Sequence, residues 1–198
     1  MTKQEVFLKK IQEISKKYKV AVEPNSDEIL KKIFNQNQKL VIFDVGGFDG
    51  CSVLQFKKIF PNSTIYSFEP FLFNYLKLKK LESKQVKTFN LGLSSKNGKE
   101  VFYVNKLRGT NSILPFCEDV TKKWGGLEGL ETEATIHSNF ITLDHITKEK
   151  NINKVDLLKL DVQGAEFKVL EGAKKSLNEK KISTIKIELI IQDKYVGQ

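Results

Sequence analysis

From Lys39 onward the chain alternates short apolar runs of strand character with amphipathic runs of helical period, and no other feature constrains its fold as tightly. "KLVIFDV", "SVLQFKKIF", "STIYSFEP", "FNYLKLKKLE" and "VKTFNLGLS" follow one another, and "KVDLLKLDVQ", "EFKVLEGAKKSL" and "ISTIKIELII" close the chain. Strands separated by helical runs of about ten residues predict a doubly wound, mostly parallel α/β sheet with helices on both faces. The rhythm breaks between Lys99 and Ile146. There "KEVFYVN" and "SNFITLD" read as short strands around the glycine-rich, acidic "WGGLEGLETEA". An insertion beside the carboxyl ends of strands is expected to be a substrate-facing loop or small hairpin.

A chain of 198 residues with 40% hydrophobic residues sustains one sizeable core. The division expected is an N-terminal helical extension over residues 1–38 and one α/β domain over residues 39–198. In the extension, Phe7, Ile11, Ile14 and Tyr18 recur at helical spacing with lysines on the other face, which predicts a lid or packing element. A second helix is expected to start at "NSDE", Asn25 to Glu28, and to end before Lys39. The net charge of +9 comes almost wholly from lysine, Arg108 being the only arginine. Because arginine is the side chain best shaped for phosphates and guanine edges, this basicity argues against sequence-reading nucleic-acid binding. It fits a solvated lysine coat, with an anionic acceptor as the functional alternative. Cys51 and Cys117 have neither zinc nor disulfide spacing, which fits a reducing, cytoplasmic setting, and no metal motif is present. No apolar run approaches the roughly 18 residues of a membrane span.

The first strand ends in "VIFDVGGFDG", Val41 to Gly50, with Asp44 just before the glycines. A dinucleotide turn requires G-x-G-x-x-G, and Gly46, Gly47 and Gly50 miss that spacing because Phe48 stands at the second glycine's place. A carboxylate there repels a pyrophosphate and attracts a cation, which favours S-adenosyl-L-methionine, whose ammonium and sulfonium come without phosphate. Glu69, ending the next strand in "YSFEP", suits the two ribose hydroxyls. The plainer alternative makes Asp44 a turn-former and Glu69 a surface acid before proline.

Together "FDVGGFDG", "SFEP", "LGLSS", "GTNS", "ITLD", "LLKLDVQGAEFKVLEGA" and "IKIEL" resemble the FkbM-type methyltransferases within the class I S-adenosylmethionine-dependent, Rossmann-like fold. The resemblance covers roughly four-fifths of the chain, and the "KLDVQGAE…LEGA" block is its most specific part. It implies an O-methyltransferase acting on hydroxyls of sugars, glycans or natural-product scaffolds, with Asp44, Gly46, Gly47, Phe48, Gly50, Glu69, Pro70 and Leu91 around the cofactor. Members more often carry alanine-asparagine where Gly47 and Phe48 stand, and glutamate where Gln163 stands. Class I folds also usually finish with an antiparallel hairpin, so the chain is expected to be truncated at the C-terminus and to lack it. Two alternatives stay open. One is a non-catalytic methyltransferase-like binding module; the other is a nicotinamide-dependent oxidoreductase, which the glycine spacing and Asp44 disfavour.

Methyl transfer from a sulfonium is an in-line displacement in which positioning supplies much of the rate, while the acceptor hydroxyl must lose a proton. Asp161, at the carboxyl end of "LLKLD", is the first candidate for base or positioning acid. Glu188 holds the corresponding place in "IKIEL", and His137, in the insertion, is a third candidate, an imidazole being a common general base. Glu166 reads as a first-turn helix acid and Asp144 as an N-cap, with His145 at a helix start. Thr110, Asn111 and Ser112 are expected to face substrate. Trp124 is either a sugar-stacking ring or core, and Cys51 a small residue packed behind the cofactor.

Overall fold

The computed structural model describes residues 26–190 and 192–198. The helix anticipated from Phe7 to Tyr18 lies outside them. Connectivity divides the chain into two units at Gln38/Lys39. Of the first, the structure describes α1 (Ser26–Ile33), which carries Asp27 and Glu28 in its first turn and Lys31 and Lys32 in its last, as the helix dipole favours.

The second unit is built on a five-stranded parallel sheet ordered β3-β2-β1-β7-β8. Its strands are β1 (Val41–Val45), β2 (Thr64–Phe68), β3 (Val86–Phe89), β7 (Val155–Leu160) and β8 (Ile182–Ile187). The central strands read as continuous apolar runs because both of their faces are covered. On one face Phe43, Val45, Phe68, Leu158 and Leu160 pack with Leu143 and Ile146 of α5 (Leu143–Glu149) and Val169 of α6 (Glu166–Glu171). The other face receives α2 (Cys51–Ile59), whose buried stripe is Val53, Phe56 and Ile59. This is the Rossmann-like arrangement, and β8 is an edge strand among the described residues.

One row across this second face is polar. Register places Asp44 beside Ser67 of β2 and beside Lys159 of β7, and Lys159 beside Lys186 of β8. Asp44 and Lys159 are both buried. A lysine within a fully buried strand requires a partner, and the row supplies it.

The insertion forms a second sheet ordered β4-β6-β5. Within it β5 (Gly98–Asn105) and β6 (Thr132–Ile141) pair antiparallel, and β4 (Gly92–Leu93) runs parallel to β6. The expected short strands are thus a hairpin with eight- and ten-residue arms, longer than the apolar runs suggest, because exposed Thr132 to Thr135 extend the pairing outward. Phe102, Val104 and Phe140 form its core against Phe71 and Ile113.

The helical run expected over "EFKVLEGAKKSL" is two helices, α6 and α7 (Lys174–Asn178), broken at Gly172 and Ala173. A Cβ on Gly172 would lie 2.1 Å from the carbonyl oxygen of Ser94, so glycine is what allows the helix to touch the end of β4. Asp144 does not cap its own helix: Thr142 does, accepting from the His145 amide at 3.1 Å. The Asp144 carboxylate instead accepts from the Lys175 and Ser176 amides, each at 2.8 Å, in the first turn of α7.

Candidate active site

The carboxyl ends of β1, β2, β7 and β8 open into a cleft of about 860 Å³, counted out to its mouth, and Phe102 and Phe140 of the insertion wall it opposite. That is the place expected of a ligand site on a doubly wound sheet. Gly46 and Phe48, in the turn after β1, line its floor. Gly46 takes φ +81°, and a Cβ there would lie 2.0 Å from the carbonyl oxygen of Asp161. The turn after β1 therefore lies directly against the chain leaving β7, a closeness only glycine permits. Phe48 also adopts positive φ, at 48°, and directs its amide to Glu69.

Glu69 lines the cleft and is 5% exposed. One carboxylate oxygen accepts from the Phe48 amide and the other from the Phe71 amide, both at 2.9 Å. Burial nevertheless pushes its carboxyl up to about 7, against those two amides and the Asn74 side chain, which favour the ionised form. Asn74, from α3 (Leu72–Leu78), also lines the cleft, and its Oδ1 is buried without a hydrogen-bond partner. Across the cleft the buried Nδ2 of Asn111 is likewise unpartnered. A buried orphan acceptor and donor on the walls of one cleft are what a hydroxyl- and amine-bearing ligand would satisfy. Pro70 completes the Glu69 end.

At the other end stand Asp161 and Glu188, bridged by one amide. Gln163 Nε2 donates to Asp161 Oδ1 at 2.9 Å and to Glu188 Oε2 at 2.8 Å. Lys159 Nζ lies 3.4 Å from Asp161 Oδ2, 3.3 Å from Asp44 Oδ1, and donates to the Gly46 carbonyl at 2.9 Å. The two acids are pushed apart. Burial alone would raise the Asp161 carboxyl, but the ammonium of Lys159 and the Gln163 amide hold it below the usual carboxylate range. Burial raises Glu188, and the negative charge of Asp161 adds to that.

Some expected site residues stand elsewhere. Asp44 is fully buried behind the turn, where Ser52 Oγ and Ser67 Oγ donate to its Oδ2 at 2.8 and 2.7 Å and Lys159 balances its charge. It is not among the residues that line the cleft, and its carboxylate supports the turn from beneath. His137 is corrected more sharply. On β6 the side chains of Ser138 and Phe140 face inward, so His137, which precedes them, lies with Asn139 on the outward, exposed row. Gly47, Gly50 and Leu91 flank the cleft's elements without lining it, whereas Gly92 and Leu93 do line it. Of Thr110, Asn111 and Ser112, only Asn111 lines the cleft, and Ser112 Oγ donates to the Gln163 carbonyl at 2.8 Å. Glu166 accepts from the Val162 amide at 2.8 Å, as a first-turn acid does. Trp124, which caps the short helix α4 (Val120–Lys123), lies under Lys194 Nζ, 4.8 Å from the ring centre, and does not line the cleft. Cys51 is exposed, and a hydrogen bond with Asp49 raises its thiol pKa.

Sequence reasoning missed Lys159, Asn74, Gln163 and Arg108. The first had a signal, a lysine inside the apolar run "DLLKL". Arg108, the sole arginine, lines the cleft while donating Nη1 to the Asn105 carbonyl at 2.9 Å and pairing with Glu133 at 2.6 Å. Asn74 is unremarkable in sequence and gains its place from helix geometry, while Gln163, a departure from the usual glutamate, gains its role from turn geometry.

Comparison with known proteins supplies the family. The 2-O-methyltransferase NoeI of Sinorhizobium fredii (strain NBRC 101917 / NGR234) is 24% identical over 163 residues, 80% of this chain and 66% of that protein. Methyltransferase 1 of Beauveria bassiana (strain ARSEF 2860) is 28% identical over 145 residues, 66% of this chain and 57% of that protein. The chain thus spans less than two thirds of the length of each. The Methyltransferase FkbM domain matches residues 44–194, from the buried acid of β1 to the lysine beside Gln163, and the chain belongs to that family.

Proposed function

We propose that the chain is an S-adenosyl-L-methionine-dependent O-methyltransferase that methylates a hydroxyl of a sugar, glycan or natural-product acceptor. One observation carries the reading. A single cleft holds a backbone-clamped carboxylate, Glu69, at one end and an unequal pair of acids, Asp161 and Glu188, at the other, with the Gly46–Phe48 turn between them. Glu69 and the orphan acceptor of Asn74 would hold the ribose hydroxyls of the cofactor, and Pro70 and Phe48 would flank its base. When bound, the cofactor supplies an electrophilic methyl on a sulfonium.

The protein's own contribution is positioning, charge and a proton acceptor. Asp161, held ionised by Lys159, suits attraction of the sulfonium and orientation of the acceptor. Glu188, whose pKa is raised, is the better-matched base for the acceptor hydroxyl, because a general base works best when its pKa approaches the working pH. The 2-O-methyltransferase name of the Sinorhizobium relative supports an oxygen acceptor. Isothermal titration with S-adenosylhomocysteine and with NAD tests the donor, and transfer of labelled methyl to a panel of oligosaccharides tests the acceptor. Binding of NAD with no binding of S-adenosylhomocysteine would overturn the reading in favour of an oxidoreductase.

A further inference from the structure

We propose that Gln163 is a positioning residue whose side-chain amide clamps Asp161 and Glu188 in one geometry, and that Tyr195 and Lys194 hold that amide in place. For catalysis the inference rests on the methyl-transfer reading. Its structural content stands without it.

The amide uses its full hydrogen-bonding capacity. Both protons of Nε2 go to carboxylates, at 2.9 Å to Asp161 and 2.8 Å to Glu188. Oε1 faces Lys194 Nζ at 3.3 Å and the Tyr195 hydroxyl at 3.1 Å, whose single proton has two acceptors, this oxygen and the nearer Thr110 carbonyl at 2.8 Å. A flipped amide would set an oxygen against two carboxylates and an NH₂ against an ammonium, so the surroundings admit one orientation. The backbone is fixed as well. Gln163 adopts φ 57°, its carbonyl accepts from Ser112 Oγ at 2.8 Å, and Tyr195, 2% exposed, fills the space above Gly164. Tyr195 is itself anchored, since Phe116 pairs with it across an isolated bridge and the flanking Val196 and Lys194 bond the Pro115 and Cys117 backbone.

The consequence is electrostatic. Two carboxylates at one cleft end need a donor between them, and a neutral amide supplies it without cancelling either charge. The charged groups around Asp161 are Lys159, with Asp44 behind it, Glu188 and Lys194. Those around Glu188 are Asp161, Glu166 and Lys194, with the Tyr195 hydroxyl nearby. Removing the donor, or replacing it with a third carboxylate, disfavours the ionised form of Asp161.

The test is a carboxyl-carbon NMR titration of the ligand-free chain, parent against Gln163→Leu, Gln163→Glu and Tyr195→Phe, with thermal melts to confirm folding. The midpoint of Asp161 is expected to move to higher pH in both Gln163 variants. In Tyr195→Phe it should move the same way by less, because Lys194 still faces Oε1. Gln163→Glu keeps the parent's shape and decides the matter should Gln163→Leu fail to fold; Tyr195→Phe decides it should both fail. An Asp161 midpoint equal to the parent's in a folded Gln163 variant overturns the clamp. Titration of the parent with S-adenosylhomocysteine is a separate arm. A parent that ignores that ligand, with the Asp161 shifts present in the Gln163 variants, would sink the cofactor reading and leave the clamp standing.

Discussion

Glu69 sets up a pH dependence that can be worked through in sign and size. Its carboxyl ionises near 7 in the folded protein, against an ordinary value of 4.5, because burial disfavours the charged form more than its backbone donors favour it. A folded-state pKa above the unfolded one means that the folded protein binds the extra proton between those two values. Stability from this group is therefore present below pH 4.5 and is lost as pH rises through 7. At about 1.4 kcal/mol for each pH unit between the two values, the loss is on the order of 3 kcal/mol, and the residue's 5% exposure leaves little solvent to screen it. Urea unfolding of the parent and of Glu69→Gln across pH 4.5 to 8 isolates the contribution as the difference between the two curves. The parent should lose about 3 kcal/mol relative to the variant over that range. Hydroxyl donors should favour the ionised form, so S-adenosylhomocysteine should bind the parent more tightly above pH 7 than below it. Parallel stability curves for the two proteins would show that Glu69 does not carry the titration, and the argument from burial would fail.

Lys159→Met removes the cation that Asp44 and Asp161 share and should destabilise the fold by about 3–5 kcal/mol, the usual result of orphaning a buried charge. Adding Asp44→Asn to it should recover part of that loss in the same urea assay, and fully additive losses would mean that the two groups do not interact. Gly46→Ala meets both a left-handed backbone and a carbonyl 2.0 Å from its new Cβ, so a loss of at least about 2 kcal/mol by thermal melting is expected, together with weaker binding of S-adenosylhomocysteine. A variant as stable as the parent would refute the close packing of the turn on Asp161.

The alternation of "VIFDV", "TIYSF" and "VDLLKL" with helical runs determined the doubly wound sheet from sequence alone, because period and apolarity are local properties that burial on both faces imposes on each strand. The acids at strand ends were legible for the same reason: Glu69, Asp161 and Glu188 stand where strands stop, and a parallel sheet gathers those ends on one edge. Only the tertiary structure decided what each polar group faces. Asp44 looked like a ligand for a cation and lies instead beneath the turn, since strand register sets it beside Ser67 and Lys159, partners 23 and 115 residues away that no local pattern pairs with it. His137 looked free to swing in a loop. The hairpin extends through it, and the alternation of a strand turns it outward. Gln163 stands in the block most typical of the family, yet its role had no signal there, because an amide two residues from Asp161 becomes a clamp only when Glu188, Lys194 and Tyr195 arrive from 25 to 32 residues away.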